Sequence, residues 1–187
     1  MKETYPIQIA GLQRSLPLCP IGHDLYIGAF VMFGDVELTV ACAKELLKQA
    51  PDYDILITAE SKGIPLGYEM AKQHGDSNWL LARKAPKLYM QNCRKVELRS
   101  ITTEAQQVLY IDQKDIDAMK DRRVLIVDDV VSTGESLHAL EELVTIAGGQ
   151  IVGKMTVLAE GDAAKRNDLT YLAPLPLFDK NGDPIAE

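Results

Sequence analysis

Val124-Leu125-Ile126-Val127-Asp128-Asp129-Val130-Val131-Ser132-Thr133-Gly134-Glu135-Ser136 is the stretch on which the fold turns. Its four leading aliphatic residues, free of proline and glycine, predict a strand buried on both faces of a parallel sheet. Beyond Gly134 the apolar spacing becomes helical, with Leu137, Leu140, Val144 and Ala147 on one face. The Ser/Thr/Gly turn therefore joins a strand's carboxyl end to a helix's amino end. Unpaired backbone amides and the helix dipole favour a phosphate there, and Ser132, Thr133 and Ser136 add hydroxyl donors. Two carboxylates beside such a cradle repel a phosphate unless they grip something else. The vicinal hydroxyls of a sugar, helped by a bound cation, are the natural candidate.

Outward from this stretch, strands and helices alternate. Asp35 is a plausible N-cap for a helix with Val36, Val40, Ala43 and Leu47 on one face, ending before Pro51. Residues 54–59 read as a buried strand and residues 65–74 as a helix closed by Gly75. A strand is expected at 79–82. Residues 84–107 lack sustained periodicity and read as a long loop, with room for a hairpin; such a loop in a compact domain is usually functional, often a lid. A short strand at 108–111 and a short helix at 115–120 lead into the opening stretch. Gly148-Gly149 ends the next helix, and 151–159 is a further strand. This alternation predicts an α/β fold, a mostly parallel sheet flanked by helices on both faces. Ligands of such sheets bind outside the strands' carboxyl ends. Glu60-Ser61-Lys62-Gly63, Arg83-Lys84 and Asp128-Asp129 should therefore converge on one crevice.

The chain has 187 residues, 47% of them apolar, which suits one compact domain with a real core. No apolar run approaches membrane-spanning length and the first residues lack the order of a secretory signal, so cytoplasmic residence and no membrane partner are expected. Cys19, Cys42 and Cys93 are scattered and read as reduced thiols; His23, His74 and His138 form no zinc spacing. A net charge of −7 argues against nonspecific nucleic-acid binding. Against that acidic background, positions 83 to 99 hold Arg83, Lys84, Lys87, Arg94, Lys95 and Arg99, opposed only by Glu97. Such a run is either a solvated face or an anion site.

The strand, paired acids and turn at 124–136 resemble the signature with which type I phosphoribosyltransferases bind phosphoribosyl pyrophosphate (PRPP). The resemblance implies that Asp128 and Asp129 hold the ribose 2′ and 3′ hydroxyls. It also implies that Ser132, Thr133, Gly134, Glu135 and Ser136 wrap the 5′-phosphate. Glu60-Ser61-Lys62-Gly63 resembles the family's pyrophosphate loop, where Gly63 permits unusual backbone angles so that adjacent amides point at an anion. Arg83, Lys84 and Lys87 look like the second set of pyrophosphate contacts. The resemblance further implies Mg²⁺ held mainly through PRPP near Asp128 and Asp129, a homodimer, and a single domain. In that domain residues 1–35 form a small hood over the base, 36–160 the core and 161–187 a carboxyl-terminal tail.

Within the family the likeness is greatest to members acting on adenine. Arg83-Lys84-x-x-Lys87-Leu88 is typical of them, and Ser100-Ile101-Thr102-Thr103-Glu104 matches in spacing, which makes Glu104 the candidate for handling the purine proton. Ala105 departs from the aromatic residue usual there. The tail Tyr171-Leu172-Ala173-Pro174-Leu175-Pro176-Leu177-Phe178 is also similar. Ser132 stands where hypoxanthine–guanine members place a carboxylate, and a hydroxyl cannot exchange that proton near neutral pH. The amino-terminal third departs from the adenine pattern. Its base contacts are read as Tyr26 and Ile27, with Phe30 and Phe33 as further aromatics. The implied activity is transfer of the phosphoribosyl group from PRPP to a nucleobase, with adenine favoured. Xanthine or orotate as the base, and a non-catalytic PRPP-binding regulator, stand as alternatives.

Overall fold

The structure, a computed structural model, describes residues 2–98 and 107–185. Its centre is a five-stranded sheet formed by β4 (Ile55–Ala59), β5 (Leu80–Ala82), β8 (Arg123–Val131), β9 (Gln150–Glu160) and β10 (Thr170–Leu175). The order is β10-β9-β8-β4-β5, and every pairing is parallel. β8 lies in the middle, and its side chains alternate between two cores. Leu125 and Val127 join one cluster, Val124 and Ile126 the other, and all four are fully buried. Two-sided burial explains the unbroken aliphatic run. Each such side chain contributes about 1.5–3 kcal/mol of transfer free energy. Helices do cover both faces. α1 (Val36–Leu47) and α2 (Ile64–His74) pack on the first core, α3 (Gln113–Met119) and α4 (Glu135–Ile146) on the second.

α1 begins where expected, with the Asp35 carboxylate accepting from the Leu38 amide at 3.0 Å. Its buried face keeps Ala43 and Leu47 of the expected stripe against the core and corrects the other two positions. Leu38, Cys42, Ala43 and Leu46 are inside, whereas Val36 is 74% exposed and Val40 is also on the surface. Both stripes have helical spacing, and only the position of the sheet decides between them. Leu137, Leu140, Val144 and Ala147 in and after α4 are buried as read. Gly75 closes α2 with φ +90°, and Gly148 follows α4 with φ +74°.

Residues 4–28 form a separate antiparallel sheet of β1 (Thr4–Ile9), β2 (Leu12–Pro20) and β3 (Tyr26–Gly28). Ala10 and Gly11, both at positive φ, make the two-residue turn between the first two strands. The carboxylate of Asp35 ties this sheet to α1 through Arg14, whose Nε donates to it at 2.7 Å. The tail returns to the same place. Phe178 is fully buried, packs at a tilt against the Tyr5 ring with centroids 4.8 Å apart, and exchanges two backbone hydrogen bonds with Tyr26. β6 (Arg94–Leu98) and β7 (Gln107–Ile111) pair as an antiparallel ribbon, so the long loop contains a hairpin. The strand read at 108–111 belongs to this ribbon; it meets the end of the main sheet's last strand through a backbone bridge between Arg83 and Tyr110 and shares the second core with it.

Candidate active site

β4, β5 and β8 are parallel, so their carboxyl ends open on one side. Asp128 and Asp129 lie within the last residues of β8, one strand turn before the Ser132-Thr133-Gly134 bend. Both are buried, at 8% and 5% exposure. The Asp129 amide donates to Asp128 Oδ1 at 2.9 Å, which fixes the first carboxylate, while Asp129 Oδ2 is buried without a hydrogen-bond partner. Burial pushes the Asp128 carboxyl well above the ordinary carboxylate range, and neighbouring Asp129 pushes it further; Lys62 pulls the other way. Asp129 is also raised by burial, against the pull of Lys62. Two adjacent acids held dry, one with an idle oxygen, are arranged for polar groups that arrive with a ligand.

The loop after β4 presses against this pair. A Cβ on Gly63 would stand 2.1 Å from Thr58 Oγ1 and 3.1 Å from Asp128 Oδ1, so only glycine lets the loop come so close. Thr58 Oγ1 is itself buried and unpartnered. Ser61 and Lys62 are exposed, with Lys62 acting electrostatically on both acids. Glu60 faces the end of β5 instead. Its carboxylate accepts from Arg83 Nη1 and from the Lys84 amide, each at 2.9 Å, and Lys87 Nζ stands 4.0 Å away. Burial works against ionisation of Glu60, but the Lys84 amide, Arg83 and Lys87 outweigh it and hold the carboxyl below its usual range. Arg83 also donates to the Tyr89 hydroxyl at 2.8 Å. Glu60, itself an anion, is thus engaged by Arg83, the Lys84 amide and Lys87.

Ser132 and Thr133 are exposed at the mouth, and Gly134 takes φ +81° before Glu135 and Ser136 open α4. The expected convergence of three strand ends is therefore present. Glu160, at the end of β9, is an acid the sequence reading passed over. Burial raises its carboxyl and Lys62 lowers it. The strand-end rule, applied to the strand at 151–159, would have found it. Tyr26 and Ile27 are half-buried in β3, and Tyr26 packs against the first core. Phe30 is a core residue at 3% exposure, which removes it from the candidate base contacts, while Phe33 is half exposed. Glu104 lies outside the described residues. The three thiols are free, and burial pushes Cys42 up to about 12.

The family profile described as "Phosphoribosyl transferase domain" matches residues 35–173. The chain belongs to the phosphoribosyltransferase family. Among phosphoribosyltransferases it is similar to the adenine phosphoribosyltransferase of Petrotoga mobilis, 36% identical over 135 residues that cover 70% of this chain and 66% of that protein. It is also similar to the hypoxanthine/guanine phosphoribosyltransferase of Methanothrix soehngenii, 30% identical over 114 residues, 61% of this chain and 56% of that one. The crystal structure of adenine phosphoribosyltransferase from Thermoanaerobacter pseudethanolicus superposes with a TM-score of 0.69, covering 85% of this chain and 95% of the other. At 20% identity that likeness establishes the shared fold. The profile begins at Asp35, so the three-stranded amino-terminal sheet lies before the matched segment.

Proposed function

We propose that this phosphoribosyltransferase transfers the 5-phosphoribosyl group from PRPP to adenine, giving AMP and pyrophosphate. The observation that carries the reading is the buried Asp128–Asp129 pair, with Asp129 Oδ2 unpartnered and the glycine of the Lys62 loop packed against Asp128. In this reading the acids accept hydrogen bonds from the ribose diol. Residues Ser132, Thr133, Gly134, Glu135 and Ser136 surround the 5′-phosphate. Ser61, Lys62 and Gly63 meet the pyrophosphate, with Arg83, Lys84 and Lys87 on its far side. Cleavage of the C1–pyrophosphate bond leaves positive charge on the ribose and negative charge on the leaving group. Lys62 and Arg83 stabilise the second, and the acid pair offsets the first.

The chain's own oxygens suit a hard cation such as Mg²⁺, and the idle Asp129 oxygen is of the right chemistry. Among the described residues there is no cluster of three or more acids, histidines or cysteines that would hold a metal unaided. In this reading Mg²⁺ would come with PRPP, bound mainly by its oxygens near Asp128 and Asp129, and would supply charge neutralisation on the departing pyrophosphate. Hypoxanthine/guanine enzymes stand among the relatives beside adenine ones, and adenine leads because Ser132 offers no carboxylate for a hypoxanthine or guanine proton. Tyr26 and Ile27 are proposed for the base side and Glu104 for the purine proton.

Residues 84–107, with the β6–β7 hairpin, are proposed as the lid that excludes water from the reacting centre. Slower trypsin cleavage in this segment on adding PRPP, Mg²⁺ and adenine is the expected result; unchanged cleavage sinks the lid. A cytoplasmic homodimer is part of the proposal. Val36, Val40 and Tyr68 are exposed and line one groove that would serve as dimer surface, and sedimentation equilibrium tests it. The deciding experiment supplies free nucleobases one at a time with PRPP and Mg²⁺ and scores pyrophosphate release. Release with adenine alone supports the reading, release with another base moves the substrate, and PRPP binding without release favours a regulator.

A further inference from the structure

The 5′-phosphate cradle, as read from sequence, contains hydroxyls and backbone amides and no cation. A phosphate monoester carries between one and two negative charges at neutral pH, and Asp128, Asp129 and Glu135 stand close by in the chain. Lys62 acts on the two aspartates, which leaves the amides of the bend alone to offset the phosphate. The structure supplies a cation from outside the signature. Arg166 follows the 3₁₀ turn Gly161–Lys165 at the end of β9, thirty-two residues after Gly134. Its Nη1 lies 3.0 Å from where a Cβ on Gly134 would stand, against the left-handed residue at the centre of the bend.

The guanidinium is also aimed. Nε and Nη2 donate to the two oxygens of Asp168, at 3.0 and 2.9 Å, in a bidentate pair that uses one edge of the fork. That pair leaves Nη1 on the side facing Gly134. Asp168 is gripped in turn by Lys154, which also binds Glu141 of α4. The alternating row Glu141, Lys154, Asp168, Arg166 joins α4, β9 and the segment after it. Arg166 is therefore held before any ligand arrives, and little side-chain entropy remains to be lost on binding.

We infer that Arg166 is a 5′-phosphate ligand of this site, recognising the phosphomonoester of the ribose through Nη1 while Asp168 and Lys154 hold it over the Gly134 bend. The inference rests on the phosphoribosyl reading and adds to it a residue outside the signature. It makes the site selective for ribose that carries a 5′-phosphate. The amides of the bend orient the phosphate oxygens, and Arg166 supplies the charge.

The test is calorimetric binding of ribose 5-phosphate and, separately, of magnesium pyrophosphate to the intact protein and to Arg166→Gln, Arg166→Lys and Asp168→Asn. Loss of a charge-assisted contact of this kind weakens binding about ten- to a hundredfold. Arg166→Gln should lose ribose 5-phosphate by that factor and keep pyrophosphate affinity. Arg166→Lys should keep part of the affinity, and Asp168→Asn should lose less than Arg166→Gln. Unchanged ribose 5-phosphate affinity in Arg166→Gln overturns the assignment, as does equal loss of both ligands, which would mark a structural role. Should the variants fail to fold, phenylglyoxal labelling of the unaltered protein decides. Ribose 5-phosphate should shield Arg166, and undiminished labelling overturns the assignment. If the unaltered protein binds neither ligand, the phosphoribosyl reading itself fails and takes this inference with it.

Discussion

Asp128 and Asp129 show what burying two adjacent acids costs the folded chain. Their folded-state carboxyls are raised by burial, so ionising them is harder in the folded chain than in the unfolded one. For an acid with a raised folded value, stability is greatest while the group is protonated. It declines as pH rises from the unfolded value of about 4 toward the folded one. Asn at both positions removes that penalty and keeps the oxygen that accepts from the residue-129 amide. Asp128→Asn with Asp129→Asn should therefore abolish PRPP turnover while raising the melting temperature of the ligand-free protein at pH 7. The gain should shrink as pH approaches 4, and a scan of melting temperature against pH checks it. Melting below that of the unaltered protein at pH 7 would show that the charges stabilise the fold. Gly63 is constrained by space. Gly63→Ala sets a methyl group 2.1 Å from Thr58 Oγ1 and should cost about 1–3 kcal/mol of stability. It should also raise the KM for PRPP, because relief requires the loop to move away from Asp128. Wild-type kinetics in this variant would remove the close approach from the account.

Among the elements, α1 separates what periodicity tells from what packing decides. The stripe Val36, Val40, Ala43, Leu47 and the stripe Leu38, Cys42, Ala43, Leu46 both satisfy helical spacing and share Ala43, and the second faces the sheet. Leu46→Ala, at a fully buried position, should destabilise the protein by about 2–5 kcal/mol. Val36→Ala should change the stability of the separated subunit, at protein concentrations below dimerisation, by under about 0.5 kcal/mol, as surface substitutions do. Urea unfolding of the two variants compares them directly, and equal effects would contradict the observed face. The strand of the signature is longer than its aliphatic run. β8 continues through both aspartates to Val131 because β9 pairs with it there, matching Asp128 to Thr156 and Val131 to Ala159. Neighbouring backbone thus keeps two carboxylates in a strand that their own propensity disfavours.

For the molecule as a whole, ion pairs between distant segments join the parts. Asp54, just before β4, accepts from the backbone amide and guanidinium of Arg123 at the start of β8, and its carboxyl is held down to about 2. Asp168 is held down to about 2 by Arg166 and then by Lys154. Acids with depressed folded values lend stability above the unfolded value of about 4, and that stability is lost as pH falls toward 2. The protein should therefore lose stability between pH 4 and pH 2. Asp54→Asn and Asp168→Asn should each flatten that decline in a denaturation series at stepped pH. An unaltered acid limb in both variants would show that other groups control it. Arg14 with Asp35 and Phe178 with Tyr26 fasten the amino-terminal sheet to the core, so the segment before the family match is built into the same body.

The sequence by itself determined the local order: a buried strand, two acids, a phosphate-type bend and a helix, repeated α/β units, and the loops that lie at strand ends. These follow from backbone propensity and from the period of apolar residues, which are properties of neighbouring positions. The tertiary structure alone decided which stripe of α1 is buried and that residues 170–175 complete the main sheet while 107–111 join a ribbon. It alone brought Gly63 against Thr58 and Asp128, and Arg166 over Gly134. Each of these is a meeting of segments far apart in the chain. Periodicity says that a face seeks a partner; only packing in three dimensions says which partner it finds.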